Sequence, residues 1–283
     1  MKISDSKRLY AHSPLVSVVV TTRNSAQFIN NCFTSILDQT YTNIELLVVD
    51  NNSSDDTKKI AFLYTKQVYN FGPERSAQRN FGARKSNGFY FLYLDSDMTL
   101  SRTVISESVE KLEKNPDLLA LYIPEIVTGV NYWSQVRRFE RSFYDATVID
   151  CVRFIRTNVF KKIGGFDETM SGPEDWDLDK KIRKTGSVGS VKSPLYHNEE
   201  EFKIQNYLAK KRYYTVSFKK YIEKWGPNDT DIHKQLGLRY RFFEVFTENG
   251  KWRKIVSHPF LSIGMFVLKF ILGFQYLIMK YKH

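Results

Sequence analysis

The strongest constraint on the fold is an alternation of buried strands and amphipathic helices over residues 16–123. Short apolar runs, rich in β-branched or aromatic side chains, predict strands at residues 16–20, 44–49, 89–94 and 118–123. The segments between them carry apolar side chains at helical spacing, which predicts helices at residues 28–37, 76–85 and 102–114. This alternation indicates an α/β fold with a mostly parallel sheet and helices on both faces.

Serine residues mark the expected starts of two helices. Ser53 or Ser54 is predicted to cap the helix after the second strand, and Ser101 to cap the helix at 102–114. The reason is that a short hydroxyl side chain accepts a hydrogen bond from a free backbone N–H of the first turn.

Polar side chains follow the predicted strands where each strand ends. Residues 21–24 follow the first strand, Asp50 ends the second, and Asp95 and Asp97 end the third. Ligands of such sheets bind outside the carboxyl ends of the strands. Two neighbouring carboxylates repel unless a cation lies between them, and a divalent metal that also takes phosphate oxygens meets that need. We therefore predict a metal-bound diphosphate here; a polar strand end without a ligand is the alternative.

An ordered set of motifs resembles the family 2 glycosyltransferases of the GT-A fold. The motifs are VVVTTRN (18–24), VVDNNS (48–53), GPERSAQRN (72–80), DSD (95–97), GGFD (164–167) and GPEDWD (172–177). The resemblance implies a Rossmann-like GT-A catalytic domain at 15–202, after an N-terminal extension at 1–14. Its nucleotide-sugar half would be about 15–125 and its acceptor half about 126–202. It also implies a transferase that uses a nucleoside-diphosphate sugar.

The resemblance assigns roles on the donor side of the site. The residues implied in nucleotide-sugar binding are Thr21, Thr22, Arg23, Asn24, Asp50, Asn51, Arg79, Asp95 and Ser96. Asp97 and His197 are implied as ligands of Mn²⁺ or Mg²⁺. Arg75 and Arg79 lie one helical turn apart, and two guanidinium groups on one helix face suit a diphosphate. A basic surface helix is the alternative for these two arginines, as a structural role is for His197.

The resemblance also assigns the catalytic base and the acceptor side. Asp175 would take the proton of the acceptor hydroxyl as it attacks, with inversion at the anomeric carbon, and Glu174 is the second choice. Trp176 and Arg153 are expected on the acceptor side, with Glu140 and Arg141 as weaker candidates of the same wall. The acids of this motif alternatively serve only the N-terminus of a helix that opens at Pro173.

Charge and hydropathy set the C-terminal region apart. Residues 203–283 hold 16 Lys and Arg but 5 Asp and Glu, so the whole net charge of +11 lies there. Residues 260–279 are apolar except for Lys269, which shares one helix side with Ser262, Gly273 and Lys280. We expect a basic helical region that lies in the plane of a membrane with its lysines at the headgroups. A spanning helix, or a helix packed on the enzyme or in a homo-oligomer, is the alternative.

A lipid-linked glycan or lipid phosphate is the acceptor that such attachment favours, and nucleic acid is not an expected partner. Residues 1–14 lack an apolar core and the two cysteines lack metal-ligand spacing, which favours the cytoplasmic face of the membrane. The donor base (UDP, GDP or dTDP) stays open. So do a soluble or protein acceptor, a non-catalytic binding protein, and a sugar nucleotidyltransferase, although the first strand–helix loop lacks the glycines that the last usually needs.

Overall fold

The computed structural model describes residues 13–200 and 202–281, with side chains through residue 275. The predicted extension at 1–14 therefore lies almost wholly outside the described residues. The strands are β1 (Val16–Thr22), β2 (Ile44–Asp50), β3 (Val68–Asn70), β4 (Tyr90–Asp95), β5 (Met98–Leu100), β6 (Leu118–Tyr122), β7 (Glu125–Thr128), β8 (Phe154–Arg156), β9 (Ser187–Ser190) and β10 (Leu195–Asn198).

Helices connect the strands and form the whole C-terminal region. They are α1 (Ile29–Leu37), α2 (Thr57–Tyr64), α3 (Arg75–Lys85), α4 (Val104–Lys114), α5 (Tyr132–Arg141), α6 (Thr157–Lys162), α7 (Glu174–Thr185), α8 (Ile204–Thr215), α9 (Phe218–Trp225), α10 (Thr230–Leu236), α11 (Val245–Thr247), α12 (Trp252–Ser257) and α13 (Pro259–Tyr281). A π-helical turn (Tyr240–Glu244) precedes α11 and a 3₁₀ turn (Glu248–Gly250) follows it.

The main sheet, as far as the structure describes the chain, has the strand order β3-β2-β1-β4-β8-β6-β9. Strands β1 to β4 pair in parallel, whereas β8 runs antiparallel to both β4 and β6. Thr22 at the end of β1 lies opposite Asp50, and Thr21 lies opposite Asp95. This register brings the polar strand ends to one edge of the sheet, and it confirms the predicted α/β fold.

Each face of the main sheet is covered by helices. Val16, Val18 and Val20 pack with α1 on one face, while Val19 packs with α3, α6 and α7 on the other. Gly82 lets α3 approach β1 closely, because a Cβ there would lie 2.4 Å from the Val19 side chain. The close approach fixes α3 above the strand ends.

A smaller sheet of order β5-β10-β7 extends the same edge. His197 lies inside β10, opposite Met98 of β5. The pairing places His197 beside Asp97, which directly precedes β5.

Both predicted serine caps are wrong. Helix α2 begins at Thr57 with no side-chain cap at its N-cap residue, and Asp55 accepts from the Thr57 N–H at 3.0 Å instead of Ser53 or Ser54. At α4, Gln39 accepts from the Ile105 N–H at 3.1 Å, and the Ser101 hydroxyl is buried without a hydrogen bond. The cap of α4 therefore comes from Gln39, which is distant in sequence, and no local sequence pattern predicts it.

The C-terminal helices pack on the body of the molecule. The Trp225 indole donates to Asp177 of α7 at 2.9 Å, and α13 lies along α5. The expectation that Lys269 faces lipid headgroups is wrong, because its ammonium is buried and lies 3.2 Å from Glu140 of α5. A buried ammonium needs such a partner, so the polar side of α13 faces inward. Among the described residues, the structure has no helix that is both long and apolar enough to cross a membrane.

Candidate active site

Asp97 and His197 meet at the junction of the two sheets. The Asp97 Oδ2 atom lies 3.3 Å from His197 Nε2, and His197 Nδ1 lies 3.0 Å from Glu125. The second oxygen of Asp97, Oδ1, is buried without a hydrogen-bond partner. A buried carboxylate oxygen that lacks a partner is costly unless a ligand satisfies it, so this corner fits a divalent cation.

The charge of His197 matters for such a cation. Burial lowers the pKa of His197, but the hydrogen bonds to Asp97 and Glu125 outweigh it and raise the pKa to about 10. His197 therefore carries a proton beside Asp97, and it can act as a metal ligand only after that proton leaves. The described residues contain no cluster of three or more His, Cys, Asp or Glu suited to a metal. A cation held here would take its remaining ligands from a bound diphosphate and water.

One buried guanidinium joins the Asp-x-Asp motif to the acidic motif of α7. Arg79 has no exposed surface, and it donates to Asp95 at 2.8 Å and to Asp175 at 2.9 Å. Its guanidinium also lies over the rings of Tyr93 and Phe166. Burial raises the pKa of Asp95, but Arg79 and Arg75 outweigh it and hold that pKa well below its usual range. The protein thus keeps Asp95 ionised. Both terminal nitrogens of the Arg79 guanidinium are bound by protein carboxylates.

The two acids of α7 differ in their surroundings. The Asp175 side chain is 25% exposed and accepts from Arg79 and, at 3.4 Å, from the Tyr93 hydroxyl. Glu174 is buried, and it accepts from the Gly172 N–H and from Arg75 at 3.4 Å. Burial and the charge of Asp175 raise the pKa of Glu174. Asp175 is therefore the more accessible of the two acids, while Glu174 fixes the start of the helix.

The loops after β1 and β2 are tied together. Asp50 is fully buried and accepts from the Thr22 hydroxyl and from the Ser53 N–H, both at 2.8 Å. Asn24 has φ of 49° and accepts from the Ser54 N–H at 2.9 Å. Both oxygens of Asp50 are satisfied within the protein, so its carboxylate holds the shape of these two loops.

The remaining donor-side residues lie around the same edge. Thr21 donates to Asp95 at 3.4 Å, and Ser96 donates to Ser25 at 2.8 Å. The Asn51 amide donates to the Pro73 carbonyl at 2.5 Å, and Arg23 is exposed. The structure therefore gathers all the predicted donor-side residues at the carboxyl edge of β1, β2 and β4.

A cavity of about 380 Å³ opens beside this edge, and we call it the catalytic cavity. Its wall includes Asp95, Asp175, His197, Trp176 and Arg153. Trp176 donates to the Ile149 carbonyl at 2.9 Å, and Arg153 donates to Glu125 at 3.2 Å. Both predicted acceptor-side residues thus line the same space as the predicted base.

Three residues of the site were not predicted from the sequence, or were predicted with a smaller role than the structure gives them. Arg75 contacts Asp95 and Glu174 and donates to the Tyr214 hydroxyl at 2.8 Å. Glu125 is buried, and although burial raises its pKa, Arg141, His197 and Arg153 outweigh this and hold the pKa well below its usual range. An acid just after the predicted strand at residues 118–123 was the available signal for Glu125. Tyr214 lies 139 residues from Arg75, and no local signal exists for that contact.

Comparisons with known proteins agree with this geometry. A Rossmann-like sheet with an Asp-x-Asp motif and a second acid at its carboxyl edge defines a glycosyltransferase of the GT-A fold. Residues 17–167 match the family "Glycosyl transferase family 2". The chain therefore belongs to glycosyl transferase family 2.

Relatives and solved structures extend the likeness beyond the matched segment. An uncharacterized glycosyltransferase of Haemophilus influenzae is 34% identical over 92% of this chain and 90% of its own length. One of Rickettsia typhi is 29% identical over 62% of this chain, and the match spans 61% of that relative. The mannosyltransferase PcManGT of Pyrobaculum calidifontis, solved with GDP-Man and Mn²⁺, is 16% identical with a TM-score of 0.63. The similarity covers 95% of this chain and 86% of that one, and it shows the shared fold.

Proposed function

We propose that this protein is an inverting glycosyltransferase that moves a sugar from a nucleoside-diphosphate sugar to a hydroxyl or phosphate of a lipid-linked acceptor. Asp175 acts as the general base, and the nucleotide lies along the ends of β1, β2 and β4. The residues proposed to hold the donor are Thr21, Thr22, Arg23, Asn24, Asp50, Asn51, Asp95 and Ser96, whereas Arg79, predicted to bind it, is fully buried between protein carboxylates.

The observation that carries the proposal is the Arg79 bridge. Its guanidinium donates to Asp95 and Asp175, so the proposed base lies beside the Asp-x-Asp motif that would face the donor diphosphate. A base beside the donor is what a single displacement requires, because the acceptor must lose its proton as it attacks the anomeric carbon. Arg79 then acts as a positioning residue that keeps Asp175 oriented.

The metal assignment rests on Asp97 and His197. The orphaned Oδ1 atom of Asp97 is the expected first ligand, and neutral His197 the second. Mn²⁺ or Mg²⁺ held there would neutralise the charge of the departing nucleoside diphosphate. His197 gives up its proton for this role, so the proposal includes proton release when metal binds.

The acceptor side is proposed to face a membrane through residues 203–283. The outer face of α13 exposes Phe260, Ile263, Val267, Phe270 and Phe274, which recur at helical spacing. We call these five residues the α13 stripe. Exposed Arg253 and Lys254 precede it, and basic residues beside an apolar helix face suit an anionic membrane surface. A soluble or protein acceptor, with the stripe as a contact between copies of the chain, is the competing arrangement.

Release of nucleoside diphosphate tests the proposed reaction. The purified protein is incubated with UDP-, GDP- and dTDP-sugars, with and without Mn²⁺. We expect slow metal-dependent hydrolysis of one donor class and its loss in Asp97→Ala. Thr99→Ala, which alters a partly exposed side chain of β5 two residues away, serves as the matched variant. Hydrolysis that needs no metal, or that survives in Asp97→Ala, would contradict the metal assignment.

A further inference from the structure

A group of cations lines the part of the catalytic cavity that faces the C-terminal helices. Arg137 lies on α5, Lys211 on α8, Arg241 in the π-helical turn and Lys269 on α13. We call these four residues the cationic pocket. Helices from separate parts of the chain converge to place four positive charges around one cavity. Such an arrangement is costly unless anions compensate it.

Protein carboxylates compensate only half of the cationic pocket. Arg137 lies 2.5 Å from Glu140 and 3.3 Å from Glu199, and Lys269 lies 3.2 Å from the same Glu140. Within the described residues, no carboxylate oxygen lies within 4.0 Å of the charged nitrogens of Lys211 or Arg241. Two cations therefore face the cavity without a protein carboxylate in direct contact.

Unsatisfied donors point to the same need. The Nη1 atom of Arg241 is buried without a hydrogen-bond partner, and so is Nη1 of Arg153, a residue that is only 6% exposed. Burial, together with Arg137 and Arg241, lowers the pKa of Lys211 to about 7. A guanidinium with a free buried N–H is a strong site for phosphate oxygens, which accept several charge-assisted hydrogen bonds at once.

We propose that the cationic pocket binds a phosphate or diphosphate group carried by the acceptor. The proposal rests on the proposed function, since it names the acceptor chemistry of that same cavity. Bound there, the anion would contact Lys211 and Arg241 while the acceptor hydroxyl approaches Asp175, which lines the same cavity. The subsite therefore selects acceptors by charge, in a part of the cavity separate from the Asp97 corner.

Helix α13 connects this subsite to the apolar surface. Lys269 and Gly273 line the cavity, whereas Phe270 and Phe274 on the other side of the helix are exposed. A lipid phosphate could therefore place its headgroup in the pocket and its chain along the α13 stripe. A soluble phosphorylated acceptor would use the headgroup contacts alone, so the affinity for a chain-bearing phosphate separates the two sources.

Calorimetric titration with dodecyl phosphate and glycerol 3-phosphate tests the proposal. EDTA is present so that phosphate bound to a metal at Asp97 is not counted, and the alkyl phosphate is kept below its micelle concentration. We expect Lys211→Ala and Arg241→Gln each to weaken phosphate binding about tenfold or more, because each removes a charge-assisted hydrogen bond. Lys211→Arg retains binding, and Lys219→Ala, which removes an exposed lysine of α9, leaves it unchanged.

The outcomes distinguish each claim. Loss of binding in the two variants with either probe supports the subsite; much tighter binding of dodecyl phosphate assigns a lipid acceptor, and equal binding assigns a soluble one. No binding of either probe, or equal binding by wild type and variants that remain folded, overturns it. Donor hydrolysis is measured on the same proteins. Failure of hydrolysis in the wild type would sink the proposed function, whereas normal hydrolysis without phosphate binding would sink only the subsite.

Discussion

At the scale of single residues, Arg79 determines how the site holds its charges. The guanidinium is fully buried, so Asp95 and Asp175 depend on it for neutralisation. An arginine buried between two carboxylates holds them in place, and its guanidinium is not available to bind a ligand anion. This is why a residue predicted from sequence to face a diphosphate is instead surrounded by protein.

Replacing Arg79 should affect stability and turnover together. We expect Arg79→Met to lower the free energy of unfolding by about 3 kcal/mol, because the partly buried carboxylates of Asp95 and Asp175 lose the charge that lies between them. Donor hydrolysis should also be lost. Urea denaturation measures the first effect, with exposed Arg84→Met as control and an expected change within about 0.5 kcal/mol. Equal stability of wild type and Arg79→Met would show that the bridge is not formed.

The pKa of Lys211 predicts how phosphate binding depends on pH. Arg137, Arg241, Lys210 and Glu140 are the charged groups that act on it, and its pKa of about 7 means that it loses its proton as pH rises from 7 to 9. Phosphate monoesters keep a constant charge over that range, since their second pKa is about 6. We therefore expect affinity for glycerol 3-phosphate to fall about tenfold between pH 7 and pH 9.

Lys211→Arg provides the control for this pH profile. Its guanidinium stays charged throughout the range, so most of the decline should disappear. Lys269, whose pKa burial lowers to about 8, also titrates in this range, although it is paired with Glu140. A profile in Lys211→Arg as steep as that of the wild type would contradict the assignment to Lys211.

At the scale of elements, the contact between α5 and α13 is built around a buried ion pair. Glu140 accepts from the Tyr144 hydroxyl at 2.6 Å and lies 3.2 Å from Lys269 and 2.5 Å from Arg137. Apolar residues including Val136, Phe139 and Met265 surround the pair. Helix α13 cannot detach from α5 without exposing these apolar residues and leaving Glu140 without Lys269. Single substitutions therefore test the contact better than deletion of the helix.

A double-mutant cycle at Glu140 and Lys269 tests this contact. Lys269→Met should cost about 3 kcal/mol of unfolding free energy, because it leaves Glu140 with less compensation at a buried site. The pair Glu140→Gln with Lys269→Met should recover much of that loss, since no buried charge then lacks its partner. Thermal or urea denaturation gives the coupling energy. Strict additivity of the two changes would contradict a direct interaction.

The elements that the sequence predicted are those whose signal is local. Strands β1, β2 and β4 were predicted because β-branched and aromatic residues run together, and their ends held the site. Strand β10, which holds His197, was not predicted because it is defined by its partners β5 and β7, not by its own composition. Ser101 was expected to cap α4, but Gln39 makes that contact from 66 residues away. Lys269 likewise finds Glu140 only after folding.

At the scale of the whole molecule, the catalytic cavity and the apolar outer face of α13 are separate features of the described chain. The α13 stripe lies on the outer side of α13, and the cationic pocket lies on the side that faces the cavity. Binding to a membrane surface and binding of an acceptor are therefore expected to be separable. Asp95, Asp97 and Asp175 belong neither to the α13 stripe nor to the cationic pocket. This separation allows surface variants to be read without disturbing the reaction.

Charged residues in the α13 stripe should release the protein from membranes. Ile263→Glu with Phe274→Glu is expected to reduce flotation with phosphatidylglycerol vesicles at least about tenfold. Each apolar side chain that becomes buried in the membrane contributes about 2 kcal/mol to binding. Donor hydrolysis should not change. Leu63→Glu, which alters an equally exposed side chain on α2, serves as control. Flotation unaffected by the double variant would assign the stripe to a protein contact.

The central claim is that Asp175 is the base of a single displacement, and turnover of Asp175→Asn at saturating donor tests it most directly. The account predicts a fall in nucleoside diphosphate release of about 10²–10⁴-fold. Donor affinity in the presence of Mn²⁺ should stay close to that of the wild type, because Asp95 and Asp97 are intact. Turnover in Asp175→Asn equal to that of the wild type, with donor bound, would contradict the account.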